Sequence, residues 1–354
     1  MGRVYSQLKP LLFGDRLESY RLAKPMLPVH VRIKPYNRCN HDCWYCAYRK
    51  EGLQLGDEMN EADTLPRGKF LELAADLADM GVQAVTFSGG GEPTLHRDLP
   101  EVISYLGGRG LKIGCLTNGS TLHRRVGDCL AEYATWARVS VDAWDDASYR
   151  KSRGLPDGSF SKLLRAMADF SGRSKKCRLG VSFIITEDSA AHIAVACRQF
   201  KDAGVRDVKL SAVVTDNSSS ENNQYHQGIR DMVAAQIELA QRLQDEKFTV
   251  LNHYHEMSAR FDKEYRRCAM ANFLTVVGAD QNVYLCQDKA YTSDGRLGNI
   301  SNCSFRETWM SSAVQEKLLS FDPSTQCKHS CTSHPKNLLL NEAAELDQEH
   351  AAFV

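Results

Sequence analysis

The sequence predicts an α/β fold, in which a parallel sheet is covered by helices on its outer side. Along residues 29–215, short apolar runs typical of buried strands alternate with segments whose apolar residues recur at helical spacing. This order gives six strands, the first five each followed by a helix, and it favours parallel strands joined by right-handed connections. A partial (β/α)6 barrel similar to a TIM barrel fits best, with functional groups at the carboxyl ends of its strands.

The first strand-helix-strand unit shows this pattern clearly. Its strand is VHVRIKP (29–35), its helix is RGKFLELAADLADMG (67–81), which ends at Gly81, and the second strand is AVTFSGG (84–90). The later predicted strands are LKIGCLTN (111–118), WARVSVDAW (136–144), RLGVSFIIT (178–186) and VRDVKLSAVVT (205–215). The later predicted helices are LPEVISYLGGRG (99–110), HRRVGDCLAEY (123–133), FSKLLRAMADFSG (160–172) and AAHIAVACRQFKDAG (190–204).

Composition and charge exclude several classes of partner. The 354 residues include 44 Lys and Arg and 44 Asp and Glu, so no general attraction to nucleic acid or to an anionic membrane is expected. The N-terminal apolar patch is too short for a signal peptide, and no run approaches the roughly 18 apolar residues of a membrane span. We therefore expect a cytoplasmic protein, whose twelve cysteines are reduced, metal-bound or buried rather than paired.

The chain changes character after its sixth predicted strand. A polar loop, TDNSSSENNQ (215–224), precedes a long amphipathic helix at 229–246, and a short strand-turn-strand follows at 273–286. A last helix is predicted at 337–353, and we place a domain boundary near residue 260. The predicted domains are an N-terminal extension (1–28), the partial barrel (29–260) and a small C-terminal domain (261–354).

Three cysteines stand within eight residues in NRCNHDCWYCAYRK (37–50), directly after the first strand. A structural zinc site needs four ligands, so His41 would have to join Cys39, Cys43 and Cys46, and the second cysteine pair of zinc modules is missing nearby. Three free loop thiols would be an unusual use of cysteine. A four-iron four-sulfur cluster held by three thiolates would leave one iron open to a ligand that is not protein.

A glycine-rich segment after the second strand favours the iron-sulfur hypothesis. FSGGGEPTLH (87–96) allows a ligand to approach the backbone closely, and Glu92 adds a carboxylate. Together with the C-x3-C-x2-C spacing, this segment resembles the radical S-adenosylmethionine (radical SAM) superfamily, and the resemblance extends over residues 29–215. It implies that Gly90, Gly91 and Glu92 hold the methionine amino group of the cofactor.

Further positions resemble the cofactor-binding pattern of the SPASM and twitch subfamilies. SVDAWDDASYRKSRG (140–154) matches the fourth-strand segment, and LTNGS (116–120) matches the turn after the third strand. For the residues in these two segments, ordinary turn and cap chemistry is the alternative. The resemblance implies these positions around the cofactor: Tyr45 beside the adenine, Ser140 and Asp142 at the ribose or carboxylate side, Arg153 at the carboxylate and Asn118 at the barrel mouth.

The resemblance also implies a type of chemistry. S-adenosylmethionine would chelate the open iron, and one electron from a donor such as flavodoxin or ferredoxin would cleave its S–C5′ bond. The resulting 5′-deoxyadenosyl radical abstracts a hydrogen atom from a substrate carbon, while the protein orients the substrate and excludes water. Lys34 and Arg38 stand near the cysteines in the sequence, where they could tune the cluster, but we expect them to be solvated loop charges.

Of the nine other cysteines, the C-terminal ones form a pattern of their own, C-x17-C followed by C-x3-C. Two such pairs could bind zinc. Beside the radical SAM motif they resemble a twitch domain, which implies one auxiliary [4Fe-4S] cluster closed by four protein ligands; Cys303 is an alternative ligand. The implied ligands are Cys268, Cys286, Cys327 and Cys331. Thiols expected to be buried among apolar residues are Cys115, Cys129, Cys177 and Cys197.

Four histidines remain as secondary candidates. His329 and His334 are weaker candidate ligands of the auxiliary cluster, with a surface loop as the alternative. His253 and His255, in LNHYHEMSARF (251–261), would share one strand face, as substrate contacts or exposed residues rather than as a metal pair.

The preferred substrate is a small molecule such as a sugar, an aminocyclitol or a nucleoside-like compound. The preferred reaction is a dehydrogenation in which the auxiliary cluster accepts an electron. An epimerisation would need a hydrogen donor, nominally Cys115 or Cys197, and peptide modification is disfavoured because only about 28 residues precede the first strand. A non-catalytic iron-sulfur or zinc-binding protein is the alternative from another class.

Overall fold

The computed structural model describes residues 4–50, 52–53, 58–255, 258–347, 349–350 and 353. The strands are β1 His30–Ile33, β2 Ala84–Phe87, β3 Lys112–Thr117, β4 Trp136–Ser140, β5 Arg178–Ile185, β6 Asp207–Ala212, β7 Thr249–His253, β8 Leu274–Val277, β9 Asn282–Tyr284 and β10 Arg296–Asn299. The α-helices are α1 Gly14–Arg21, α2 Arg67–Asp79, α3 Leu99–Gly108, α4 Arg125–Tyr133, α5 Asp146–Arg153, α6 Ser159–Arg173, α7 Ile193–Asp202, α8 Ser219–Gln227, α9 Arg230–Gln241, α10 Ser258–Phe261, α11 Ala269–Phe273, α12 Phe305–Met310, α13 Ser312–Ser320, α14 Pro323–Gln326 and α15 His334–Glu345. Short 3-10 helices span Lys9–Leu12, Pro93–Leu95, Ala190–His192 and Gln287–Lys289.

The strands form one continuous sheet in the order β10-β9-β8-β1-β2-β3-β4-β5-β6-β7. Neighbours from β1 to β7 are parallel, as helical connections between consecutive strands require. Strand β8 also pairs in parallel with β1, with Leu274 opposite His30, and β9 and β10 follow as antiparallel strands. The predicted α/β partial barrel is confirmed.

The two faces of the sheet differ in chemistry. In β1, Val31 and Ile33 are completely buried in the main core, while Arg32 between them lines a cavity on the opposite face. Arg138 of β4 and Lys209 of β6 line the same cavity. Because successive side chains of a strand point to opposite faces, one alternating pattern supplies both an apolar contact for the helices and a polar interior.

The helices between the strands bury one apolar stripe each. In α2 the buried side chains recur at intervals of three and four residues, which is the spacing of one helix face. A left-handed glycine at position 81 follows this helix and allows the chain to turn toward β2. The stripe of α2 consists of Phe70, Leu73, Ala74 and Leu77, and that of α6 of Phe160, Leu163, Met167 and Phe170.

The segment predicted as a polar loop at 215–224 is partly helical, and the loop prediction is wrong for α8. The reason is a buried asparagine. Asn222 accepts a hydrogen bond from the Thr215 amide at 2.8 Å and donates to the Asp216 and Ser218 carbonyls at 2.7 Å each. One side chain therefore satisfies the backbone of the preceding turn, which allows a polar sequence to form a helix against the barrel.

The C-terminal region extends the barrel sheet, since β8 lies beside β1. The sheet therefore continues across the boundary that we predict near residue 260. The last predicted helix starts earlier than expected, as α15 spans His334–Glu345, and positions 348, 351 and 352 of its predicted range lie outside the described residues. None of the described helices is both long and apolar enough to cross a membrane.

Candidate functional site

A cavity of about 550 Å³ opens at the carboxyl ends of the parallel strands. Cys39, Cys43 and Cys46 lie on its wall together with Glu92, as the parallel strand order predicts. Asp142 lies behind the wall, with 5% of its surface exposed. The other predicted cofactor-binding residues on the wall are Tyr45, Gly90, Gly91, Asn118, Ser140 and Arg153.

The three-cysteine loop is held by its own backbone and by α5. The Cys46 amide donates to the Cys43 carbonyl at 3.0 Å, and the Asp42 amide donates to the Arg153 carbonyl at 2.9 Å. Burial raises the pKa of Cys39, and it raises the pKa of Cys43 to about 11, with Asp142 and the other loop thiols adding to the effect on Cys43. The three sulfurs therefore lie within electrostatic range of one another.

The glycine segment is packed so closely that side chains do not fit. A Cβ atom on Gly91 would lie 2.1 Å from the Arg38 carbonyl oxygen, and one on Gly90 would lie 2.2 Å from the sulfur of Met59. The Glu92 amide also donates to the Arg38 carbonyl at 2.9 Å. These glycines bring the backbone of the second loop directly against that of the three-cysteine loop.

The Glu92 carboxylate is buried and held in one orientation. Its Oε1 accepts hydrogen bonds from the amide and hydroxyl of Thr94 and from the Thr117 hydroxyl at 2.6 Å, and its Oε2 accepts from the Asn118 amide at 2.7 Å. Burial raises the pKa of this carboxyl group, although all four hydrogen bonds act in the opposite direction. Oε1 has three donors and Oε2 has one, so Oε2 retains the capacity to accept another.

A buried triad stands behind the three-cysteine loop. Arg153 donates to Asp142 Oδ2 in an ion pair, and Tyr45 donates its hydroxyl to the same oxygen at 2.8 Å. Asp142 Oδ1 accepts from the Ile184 amide at 2.5 Å. The Nε atom of Arg153 is buried and has no hydrogen-bond partner among the described residues. The guanidinium group thus retains one N–H donor without a partner beside the cavity.

Asn118 and Ser140 occupy two different positions on the cavity wall. The Asn118 side chain donates to Asn40 Oδ1 at 2.8 Å and lies 3.9 Å from the Cys39 sulfur, which places it at the barrel mouth beside the cysteines. Ser140 stands at the end of β4 in register with Ser182 of β5, and both line the cavity wall.

Lys34 differs from the sequence expectation. Its side chain is completely buried, donates to the Tyr48 hydroxyl at 2.5 Å and to the Gly89 carbonyl at 3.1 Å, and lies 4.3 Å from the Tyr48 ring centre. The expectation of a solvated charge is therefore wrong for Lys34, whereas Arg38 is exposed. The sequence contains a signal for this: His30, Arg32 and Lys34 alternate with apolar residues and so point to the interior face.

The four C-terminal cysteines predicted as ligands lie within electrostatic range of one another. The negative charges of Cys268, Cys327 and Cys331 all act to raise the pKa of Cys286, although burial is the largest cause. The sulfur of Cys303 makes other contacts, at 3.2 Å to the Asn299 carbonyl and 3.1 Å to the Thr308 hydroxyl. The region also reaches the cavity, because Asp288, His329 and Thr332 lie on its wall.

His329, a weaker candidate ligand with a surface loop as the alternative, is buried. Only 8% of its surface is exposed, and neither ring nitrogen has a hydrogen-bond partner among the described residues. The surface-loop alternative is therefore wrong for His329. His334 begins α15, with its ring 3.3 Å from the Tyr265 hydroxyl. His253 ends β7, where burial and nearby cations lower its pKa to about 4.

The remaining thiols are part of the core. Their burial agrees with the apolar strands and helices that carry them. Among the described residues, no group of three or more His, Cys, Asp or Glu side chains is arranged to hold a single metal ion. The core thiols are Cys115, Cys177 and Cys197, which are buried, and Cys129, which is partly buried.

Comparison with known proteins identifies this region. Residues 33–187 match the family model described as the Radical SAM superfamily. The chain contains a radical SAM domain. The cofactors of this family are a [4Fe-4S] cluster and S-adenosylmethionine, and the matched segment contains the three-cysteine loop, the glycine segment and the Asp142–Arg153 pair.

Curated relatives match less than half of this chain. Fe-coproporphyrin III synthase of Methanosarcina barkeri is 29% identical over 157 residues, which cover 44% of this chain and 37% of that protein. A probable GTP 3′,8-cyclase of Methanosarcina mazei is 30% identical over 168 residues, which cover 45% of this chain and 47% of that protein. The chain thus spans less than half the length of these relatives, and the match identifies the domain rather than the substrate.

Solved structures resemble the whole fold. Streptococcus suis SuiB bound to S-adenosylmethionine has a TM-score of 0.61 at 14% identity, covering 91% of this chain and 75% of that chain. Native anSMEcpe with bound AdoMet has a TM-score of 0.57 at 16% identity, covering 90% of this chain and 100% of that chain. The shared fold therefore extends beyond the radical SAM domain into the C-terminal region.

Proposed function

We propose that this chain reductively cleaves S-adenosylmethionine and uses the resulting radical to oxidise a small molecule, such as a sugar, an aminocyclitol or a nucleoside-like compound. The observation that carries the proposal is the meeting of Cys39, Cys43, Cys46 and Glu92 on one cavity wall, inside a radical SAM domain. When bound, the cluster and S-adenosylmethionine supply the radical that removes a hydrogen atom from a substrate carbon.

The residues on the wall fit these cofactors. Cys39, Cys43 and Cys46 would hold the cluster. Glu92 would take the cofactor's amino group, because Oε2 has only one donor, and Arg153 would take the carboxylate through its unpartnered Nε. A cluster with only a structural role would need neither the free acceptor of Glu92 nor the free donor of Arg153. This pairing of a free acceptor with a free donor favours an enzyme over the non-catalytic alternative.

The proposed role of Asp142 is to position its neighbours. Its ion pair fixes the Arg153 guanidinium, and its second contact orients the Tyr45 ring next to the three-cysteine loop. Tyr45 would pack beside the adenine, with Ser140 and Asn118 on the ribose side and at the mouth. Tyr45, Ser140 and Asn118 all lie on the cavity wall.

The second group of thiols would hold an auxiliary [4Fe-4S] cluster. Cys268, Cys286, Cys327 and Cys331 would supply four ligands, and a closed cluster of this kind would serve as an electron acceptor. Loss of a hydrogen atom, a proton and an electron converts a secondary alcohol to a ketone. The electron that first reduces the radical SAM cluster would come from a flavodoxin or ferredoxin.

The wall chemistry favours dehydrogenation over epimerisation. An epimerase returns a hydrogen atom from a donor that is usually a thiol. Among the described residues, the cysteines on the cavity wall are the three assigned to the radical SAM cluster, and the nominal donors Cys115 and Cys197 are completely buried in the core. The GTP cyclase activity named for the relatives and the precursor peptide SuiA bound to SuiB belong to those proteins. This chain shares with them a domain or a fold.

The first experiment tests cofactor cleavage. Anaerobically reconstituted protein, S-adenosylmethionine and dithionite should yield 5′-deoxyadenosine in the wild type. Cys43→Ala should abolish the product, whereas Cys129→Ala, outside both cysteine groups, should form it at the wild-type rate. A wild-type protein that binds iron and forms no 5′-deoxyadenosine would support the non-catalytic alternative.

The second experiment tests the reaction type. Candidate substrates are incubated with the wild type in deuterated water, and the products are analysed by mass spectrometry. A product two hydrogen atoms lighter than the substrate, without solvent deuterium, is expected for dehydrogenation. An isomer carrying one deuterium at the reacting carbon would show epimerisation and contradict the proposed outcome.

A further inference from the structure

We infer that the inner part of the cavity is an anion-binding subsite, in which Lys209 and Arg32 receive a carboxylate or phosphate group of the substrate. The inference extends the proposed function. It rests on that function only where it states that the bound ligand is the substrate. The geometry and charges of the barrel interior support the subsite itself.

Below this region, the barrel interior contains a cluster of one acid and two arginines. Asp207 begins β6 and has 1% of its surface exposed; its Oδ1 accepts from Arg138 and from the Tyr5 hydroxyl, both at 2.8 Å, and its Oδ2 accepts from Arg178 at 2.7 Å. Each oxygen of the carboxylate therefore accepts at least one hydrogen bond. Two arginines share this single negative charge, so the cluster offers no anion to a third cation.

Lys209 stands one step further into the cavity on the same strand. Its neighbours in register are Ser182 of β5 and Leu251 of β7, and its side chain lies on the cavity wall. Among the described residues, no hydrogen bond or ion pair to its ammonium group is found. Burial, reinforced by Arg138, Arg260, Arg32 and Lys336, lowers the pKa of Lys209 to about 8.

Arg32 approaches the same cavity from β1. Its Nη1 donates to the side chain of Gln287 at 2.7 Å, and its Nε is buried without a hydrogen-bond partner among the described residues. The nearby acid Asp288 raises the pKa of Arg32 against the larger effect of burial, but its Oδ2 already accepts from the amide and hydroxyl of Thr332. Arg32, which lies on the cavity wall, thus retains a buried donor without a partner among the described residues.

The other cations on the wall have carboxylate partners. Arg49 contacts Glu61 at 2.8 Å, Arg138 contacts Asp207, and Arg153 contacts Asp142. This leaves Lys209 and Arg32 as the unpaired cations of the described wall. A partly buried cation without an anion costs folding free energy, and such groups occur where a ligand supplies the missing charge.

The hydroxyl group of Ser182 completes the subsite. Ser140, Ser182 and Lys209 occupy one row across β4, β5 and β6, because Ser140 is opposite Ser182 and Ser182 is opposite Lys209. Both serines lie on the cavity wall. An oxyanion beside Lys209 would therefore find the Ser182 hydroxyl on the same level, with Ser140 next to it on the cofactor side. The rest of the substrate would extend toward the cysteines at the strand ends.

Anion binding is tested by thermal unfolding of the reconstituted protein. Inorganic phosphate and acetate are the probes for the two sources of the anion, at an ionic strength kept constant with sodium chloride. At least one probe should raise the wild-type Tm as its concentration rises, since a ligand that binds the folded state stabilises it. The probe that acts at lower concentration identifies phosphate or carboxylate as the preferred group.

The decisive variant is Lys209→Met, with Lys112→Met as the matched control, because Lys112 is exposed at the opposite end of β3. Lys209→Met should have a Tm at least equal to that of the wild type without anion, since like-charge repulsion is relieved, and about tenfold weaker anion binding. Lys209→Arg should restore binding, Arg32→Met should weaken it, and Lys112→Met should behave as the wild type.

Different measurements would contradict the subsite and the proposed function. No stabilisation of the wild type by either probe, or equal stabilisation of Lys209→Met, would overturn the subsite whatever the outcome of the cleavage assay. Probe binding that depends on Lys209, in a wild-type protein that forms no 5′-deoxyadenosine, would retain the subsite and reject the proposed function.

Discussion

Asp142 and Arg153 form an ion pair whose side chains are 1% and 3% exposed. Asp142 lies two residues after the end of β4, in a left-handed conformation with φ of 58°, and Arg153 ends α5. The same arginine accepts the Asp42 amide through its backbone carbonyl. The pair therefore connects the end of one strand, the end of one helix and the three-cysteine loop, and its integrity determines where the loop lies.

Asp142→Asn should destabilise the protein strongly. Asparagine tolerates the left-handed backbone and keeps the shape, so the substitution removes mainly the charge. An unpaired buried guanidinium typically costs about 3–5 kcal/mol in the free energy of unfolding. Urea unfolding followed by circular dichroism measures this loss.

The control for this pair is Asp128→Asn. Asp128 lies 3.5 Å from Arg173 and its side chain is 65% exposed, so solvent screens the interaction. The change in unfolding free energy there should be at most about 1 kcal/mol. Equal effects of the two substitutions would show that the Asp142 charge is not required by the buried arginine.

Gly91→Ala should disrupt the glycine segment. The added Cβ would lie 2.1 Å from the Arg38 carbonyl oxygen, which is backbone and can move only if the three-cysteine loop moves with it. We expect a loss of about 1–3 kcal/mol in unfolding free energy, together with a loss of S-adenosylmethionine affinity measured by calorimetry.

Gly172→Ala is the matched control for the glycine segment. Gly172 lies in α6, and a Cβ atom there would meet nothing within 4 Å. Alanine should stabilise this helix by about 0.5–1 kcal/mol. If Gly91→Ala proved as stable and as competent in binding as Gly172→Ala, the close packing of the two loops would not matter for function.

Much of the site follows from the strand order alone. Cys39, Gly91 and Asn118 follow consecutive strands of a parallel sheet, and the carboxyl ends of such strands meet at one edge. Their proximity is therefore a consequence of the alternating pattern. The strands can be recognised in the sequence by their apolar runs, because β1 and its neighbours bury one face under helices.

Other relationships depend on tertiary packing. The pairing of β1 with β8 joins His30 to Leu274, and no local pattern specifies a partner so distant in the chain. Lys34 is buried because Tyr48 and the Gly89 carbonyl receive its ammonium group, and both partners come from other loops. The alternation in β1 indicates the direction of the Lys34 side chain, but its burial depends on where those two loops lie.

Cys303→Ser should leave the iron content unchanged. The Cys303 sulfur contacts the Asn299 carbonyl and the Thr308 hydroxyl, and a serine hydroxyl can form both hydrogen bonds. Cys286→Ser should instead lower the iron content from about eight to about four atoms per chain, as loss of one cluster requires.

Iron analysis and absorption spectra after anaerobic reconstitution test this pair of variants. A Cys39/Cys43/Cys46 triple alanine variant supplies the reference for the auxiliary cluster alone. If that variant had no iron-sulfur absorption, the auxiliary cluster would be excluded. A loss of iron in Cys303→Ser would make Cys303 a ligand in place of one of the four.

His30→Gln should make the protein less sensitive to acid. Burial, followed by the charges of Arg32 and Lys336, lowers the pKa of His30 to about 3, and its Nε2 lies 2.8 Å from the Thr86 hydroxyl. The unfolded chain binds a proton near the ordinary value of 6.5, so the unfolded state gains protons first as the pH falls. Wild-type stability that is fully present above pH 6.5 is therefore lost progressively toward pH 3.

Glutamine at position 30 can keep a hydrogen bond to Thr86 and does not titrate, so the unfolding free energy of the variant should fall less steeply over this pH range. Urea unfolding at a series of pH values measures the two slopes, and His123→Gln, a substitution at an exposed position, serves as the control with the wild-type slope. Parallel curves for the wild type and His30→Gln would mean that His30 is protonated equally in the folded and unfolded states, which is incompatible with a neutral ring buried beside Arg32.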